Sequence, residues 1–169
     1  MKTKLIYGIL ALFVMPFIAK AQSRQQPATA VEMNNYLASF TDSLYKKGGE
    51  WGQIFVASKD SKDFSKLVKP RKDFTMYIEN SISEIKSTQD IAGSEDIKNA
   101  FIKFLTFEKT AVNYFIPFEK LNSNSTDTEI DALVNGLNDF STLEIKELKK
   151  LNVVQQEYAS KNNFNIETK

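Results

Sequence analysis

Apolar residues recur at every third or fourth position through four stretches of the chain, and polar runs separate them. That spacing puts them on one face of a helix. The first stretch holds Met33, Leu37, Phe40, Leu44, Trp51, Ile54 and Phe55, and predicts a helix from Ala30 to Ser58. Gly48 and Gly49 fall inside it, and each costs about 1 kcal/mol in a helix interior. The stripe keeps its phase across them, so a continuous helix is preferred over a break at the two glycines. In a continuous helix they would give a neighbouring helix room to approach.

Asp60-Ser61-Lys62-Asp63 offers capping side chains for a second helix, which carries Phe64, Leu67, Val68, Phe74, Ile78, Ile82 and Ile85. Pro70 lies within that stripe and predicts a kink or short break near Lys69-Pro70. Ser94-Glu95-Asp96 opens a third helix, with Ile97, Ala100, Phe101, Phe104, Leu105, Ala111, Val112, Phe115 and Phe118 on its apolar face. Pro117 loosens its last turns. After a polar loop at residues 121–125, Thr126 and Glu129 have the spacing of a capping box. The fourth stripe follows through Ile130, Leu133, Val134, Leu137, Phe140, Leu148, Leu151, Val154 and Tyr158, to about Lys161.

Four amphipathic helices with short connections predict an all-α fold, an antiparallel up-down four-helix bundle. It forms a single domain over 30–164, with 22–29 as a flexible polar tail. An irregular bundle, its first helix split at the glycines, is the alternative.

Residues 1–21 read as a cleavable signal peptide. Lys2 and Lys4 precede an uncharged run from Leu5 to Ile18, and Ala19-Lys20-Ala21 supplies small residues at a cleavage site. The run is shorter than the roughly 20 residues a membrane-spanning helix needs. The expected product is exported, periplasmic or secreted, with no stable membrane span in the mature chain. Removing Lys2, Lys4 and Lys20 with the leader takes 22 basic residues to 19 against 21 acidic ones. No basic excess remains to neutralise phosphates, so nucleic acid is not an expected partner.

Histidine and cysteine are both absent. That removes disulfides, zinc sites built on either residue, cysteine nucleophiles and Ser-His-Asp triads. It also removes His- or Cys-ligated haem and the Glu-x-x-His di-iron pattern. No cofactor motif stands out and no enzyme is expected. Any chemistry would rest on carboxylates, Lys, Arg, Tyr, Ser or Thr.

Two segments carry a resemblance: Asp60-Ser61-Lys62-Asp63 after a helix, and residues 155–164, Gln-Gln-Glu-Tyr-Ala-Ser-Lys-Asn-Asn-Phe. With the leader and the chain length, they resemble a family of exported, mostly helical bacterial surface proteins of unknown function, over roughly Asn34 to Phe164. The resemblance implies export from a bacterium and a helical fold. It brings no residue roles.

Candidate site residues come from helical phase alone. Arg71, Glu108 and Glu144 fall at inward positions of helices two, three and four. They could lie at the solvated edge of a drifting stripe, which is the leading reading. They could also pair inside the core, or form a polar site with shifted pKa values. Phe101, Phe104, Phe115 and Phe118 could line a cavity for a small apolar ligand, although aromatics at this spacing more often fill a core. Phe107 and Tyr114 lie off the main stripe, where aromatic surface could face a partner. The expected function is that of a non-enzymatic interaction or envelope-structural module with a protein partner in the cell envelope. A carrier of a small apolar ligand is the alternative.

Overall fold

Thr29 starts the first helix. Its hydroxyl accepts from the Glu32 amide at 3.2 Å, and the Glu32 carboxylate accepts from the Thr29 amide at 3.2 Å. This reciprocal pair satisfies two amides that a helix start leaves free. The computed structural model describes residues 25–166. The leader read at 1–21, and residues 22–24 of the tail, lie outside the described residues. From Thr29, α1 (Ala30–Ser61) runs unbroken through Gly48 and Gly49. A Cβ on Gly48 would meet the Phe74 ring at 3.8 Å, an ordinary contact. Close helix approach therefore does not require glycine at that position. The helix ends at Lys62, whose φ of 55° is left-handed.

The capping segment acts differently from the expectation. Asp60 and Ser61 still belong to α1, and Asp63 caps a 3-10 turn, Phe64–Leu67, by accepting from the Ser65 amide at 3.2 Å. Only then does α2 (Val68–Ser87) begin. Pro70 thus sits in the first turn, where its missing N–H removes no intrahelical bond. The kink or short break expected near Lys69-Pro70 is a change from 3-10 turn to α-helix at Val68, just before the proline. The third helix, α3 (Glu95–Asn113), is likewise shorter than its stripe; a 3-10 turn, Ile116–Lys120, carries Pro117 and Phe118. α4 (Asp127–Lys161) opens on the Thr126–Glu129 capping box, with Thr126 N to Glu129 Oε2 at 2.7 Å and Glu129 N to Thr126 Oγ1 at 3.3 Å.

The described residues are all-α, with four α-helices and no strand. Side-chain contacts tie early residues of one helix to late residues of the next. Tyr36 of α1 donates to Glu84 of α2 at 3.0 Å, and Tyr77 of α2 donates to the Phe40 carbonyl at 2.9 Å. Lys109 of α3 pairs with Glu79 of α2 at 2.7 Å. Gln155 near the end of α4 donates to Asn34 near the start of α1 at 3.2 Å. Lys62, which caps the end of α1, meets Asp127 at the start of α4 at 3.4 Å.

The interior divides into two apolar clusters. One gathers Met33, Leu37, Phe40, Leu44, Phe74, Ile78, Phe101, Phe104, Val112 and Leu151, with others. The second gathers Trp51, Phe55, Phe64, Leu67, Phe118 and Ile130. Phe115 packs against both. Gly136 lies within α4, and a Cβ there would meet nothing within 4 Å. Gly136→Ala should therefore stabilise the fold by about 0.5–1 kcal/mol, by restricting the unfolded chain without a clash. A higher urea midpoint at unchanged slope is the expected readout; a lower midpoint would refute the open geometry.

Candidate functional site

Three helices bring a polar group each to one level of the interior. Glu108 comes from α3, Glu144 from α4 and Tyr45 from α1. Glu108 is only 6% exposed, so it does not lie at a solvated edge. Neither its Oε1 nor the buried Tyr45 hydroxyl meets a partner at hydrogen-bond geometry among the described residues. Glu144 is half-buried beside both groups, and its contact with the Tyr45 hydroxyl falls short of full hydrogen-bond geometry.

The electrostatics follow from burial. Loss of water pushes the Glu108 carboxyl up from 4.5 to about 9, and the neighbouring Glu144 charge adds to the rise. Burial raises Glu144 as well, while the Tyr45 hydroxyl works in the opposite direction. The Tyr45 phenol is pushed up by burial first and then by the charges of Glu144 and Glu108. At neutral pH the site therefore holds a protonated Glu108, a phenol that keeps its proton, and Glu144 at the rim. A neutral carboxylic acid in this setting is a hydrogen-bond donor with room to accept. The described residues contain no group of three or more His, Cys, Asp or Glu that could hold a metal ion.

Arg71 stands apart from this layer. Its guanidinium grips both carboxylate oxygens of Glu119 in the 3-10 turn after α3, through Nε to Oε1 and through Nη2 to Oε2 at 3.3 Å. The structure thus joins Glu108 with Glu144 and separates Arg71 from both. Sequence reasoning missed Tyr45 and Glu119. Tyr45 follows Leu44 directly, and its place on the i+4 row from Thr41 was the one signal for it. Glu119 gave no helical signal, because its backbone is a 3-10 turn.

The four phenylalanines are divided between the clusters. Phe101 and Phe104 are fully buried in the first, Phe118 is fully buried in the second, and Phe115 is half-buried between them. The Phe115 ring stacks on Trp51 at 4.0 Å, and Phe118 meets the edge of Phe55 at 5.0 Å. Two shallow surface concavities, of about 250 and 260 Å³, are lined by other residues, such as Lys47, Glu50 and Pro70 in one and Gln25, Pro27 and Asn35 in the other. Among the described residues, no helix is long and apolar enough to cross a membrane.

No protein-family model, curated protein or solved structure matches the chain.

Proposed function

We propose that the chain is an exported, non-enzymatic antiparallel up-down four-helix bundle of the bacterial envelope that works through its surface by binding another protein. The supporting observation is an apolar strip on the α3–α4 seam. Tyr114 and Leu143 are about half exposed, at 49% and 48%, although both are large and apolar. The Tyr114 ring lies 5.4 Å from Phe140, and Leu143 follows Phe140 by one helical step of three. Phe107 stacks under Phe140 at 4.7 Å and holds that ring in place. Aromatic anchors on a rigid helical seam suit a protein interface. A placement with exported helical surface proteins, as in the resemblance above, belongs to the same proposal.

The test compares the mature chain with a Tyr114→Ser/Leu143→Ser variant as bait in envelope extracts. The parent should recover a discrete partner, and the double variant should lose at least tenfold of it at unchanged helicity. Repeated recovery of the same material with both baits would refute the surface assignment, as would recovery of nothing by either. The ligand-carrier alternative gains no support from the phenylalanines, which pack against protein side chains.

A further inference from the structure

The Tyr45–Glu108–Glu144 layer lies where the helices are least anchored. On α1, no residue between Leu44 and Trp51 is buried, and this gap holds both Gly48 and Gly49. On α4, Phe140 is the one buried residue between Asp131 and Lys150, and Glu144 lies in that span. Leu44 belongs to the first apolar cluster and Trp51 to the second; Leu137 packs on the second and Leu148 on the first. The polar residues of α1 and α4 therefore occupy the gap between two cores. On α3, Glu108 interrupts the first cluster between Leu105 and Val112.

We propose that this layer is a proton-controlled joint: while Glu108 carries a proton the α3–α4 seam is closed, and when Glu108 ionises the α4 segment around Glu144 lifts from α3. The groups facing Glu108 are Tyr45 from α1 and Glu144 from α4. From α2, Arg71 is held by Glu119 and Glu79 is held at the outside by Lys109. Among the described residues, no positive charge lowers the Glu108 carboxyl, so none offsets a charge there. Ionisation places two carboxylates against each other beside the Tyr45 hydroxyl, which meets no partner at hydrogen-bond geometry among the described residues, and water must enter to solvate them. The weakly buried stretch of α4 yields first, while the apolar clusters hold its two ends.

Burial raises Glu108, so the closed form is favoured at low pH and lost as pH rises towards about 9. Hydrogen exchange read by mass spectrometry at pH 6 and pH 9, corrected for the intrinsic rate, tests this directly. Amides in 137–148 should lose at least tenfold in protection at the higher pH, while 151–159 stay protected. Glu108→Gln should keep the stretch protected at both pH values. Glu144→Gln, which removes the neighbouring charge, should lessen the loss at pH 9, because Glu108 then ionises in the closed layer against less repulsion. Equal protection of the parent at both pH values would overturn the proposal, and so would an equal loss in Glu108→Gln. Restoration of the parent's protection at pH 9 by added calcium would also overturn it, because the layer would then be a cation site and not a proton-controlled one.

Discussion

Glu108→Gln will unfold at a higher urea concentration than the parent chain at pH 7 and above, and at nearly the same concentration at pH 4. The sign follows from proton counting. The folded carboxyl titrates near 9, whereas the ordinary value is 4.5. Between those limits the folded chain keeps a proton that the unfolded chain has released, so stability falls as pH rises. The slope from this one group approaches 1.4 kcal/mol per pH unit (about) and flattens below the ordinary value. At neutral pH the full linkage amounts to about 3 kcal/mol; entry of water into the layer reduces the expected gain to about 2 kcal/mol. Glutamine has the shape of the protonated acid but nothing to ionise, so its stability should not track pH through this site. Parallel pH profiles for the two proteins would show that Glu108 is solvated in the folded state. Proton uptake on folding at pH 7, near one for the parent and lower by about that amount in the variant, is the calorimetric counterpart.

This layer also marks where sequence pattern stops being informative. The helices themselves were legible, because thirty-two residues of α1 and thirty-five of α4 repeat a strong period. The capping box at Thr126 was legible for the same local reason: a cap depends on residues three apart. Pro70 signalled an interruption but not its kind, because a proline inside an apolar stripe looks the same whether it kinks a helix or begins one. The decisive feature was the left-handed Lys62 and the 3-10 turn after it, and a stripe with period 3.6 does not register a turn with period 3. Helical phase placed Glu108, Glu144 and Arg71 on inward rows, but phase carries no information about depth along the axis. Depth is what puts the two carboxylates at one level with Tyr45 and sends Arg71 to Glu119. The off-stripe positions of Phe107 and Tyr114 were visible; that both rings converge on Phe140 depends on how α3 and α4 are set against each other.

Arg71→Ala should lower stability by about 3 kcal/mol, because it leaves the Glu119 carboxylate without its partner in a largely dry place. The side chains of Arg71 and Glu119 are only 15% and 13% exposed, which sets this pair apart from the surface pairs of the chain. Lys69 and Asp73, for comparison, are 83% and 41% exposed, and a pair of that kind contributes little in water. Arg71 stands in the first turn of α2, and Glu119 in the 3-10 turn that follows α3. Their bond therefore holds the start of one helix to the exit of another, beside Phe118 in the second core. Arg71→Lys keeps the charge but loses the planar two-point grip, and should fall between parent and alanine. Replacing both partners, as Arg71→Met with Glu119→Leu, should recover most of the loss, since a buried pair contributes less than the penalty for orphaning one member. Urea unfolding of the four proteins at one pH decides it. A loss under about 1 kcal/mol for the alanine variant would place the pair in solvent. A double variant as unstable as the single would show that the ion pair itself, and not the orphaned carboxylate, sets the stability of this corner.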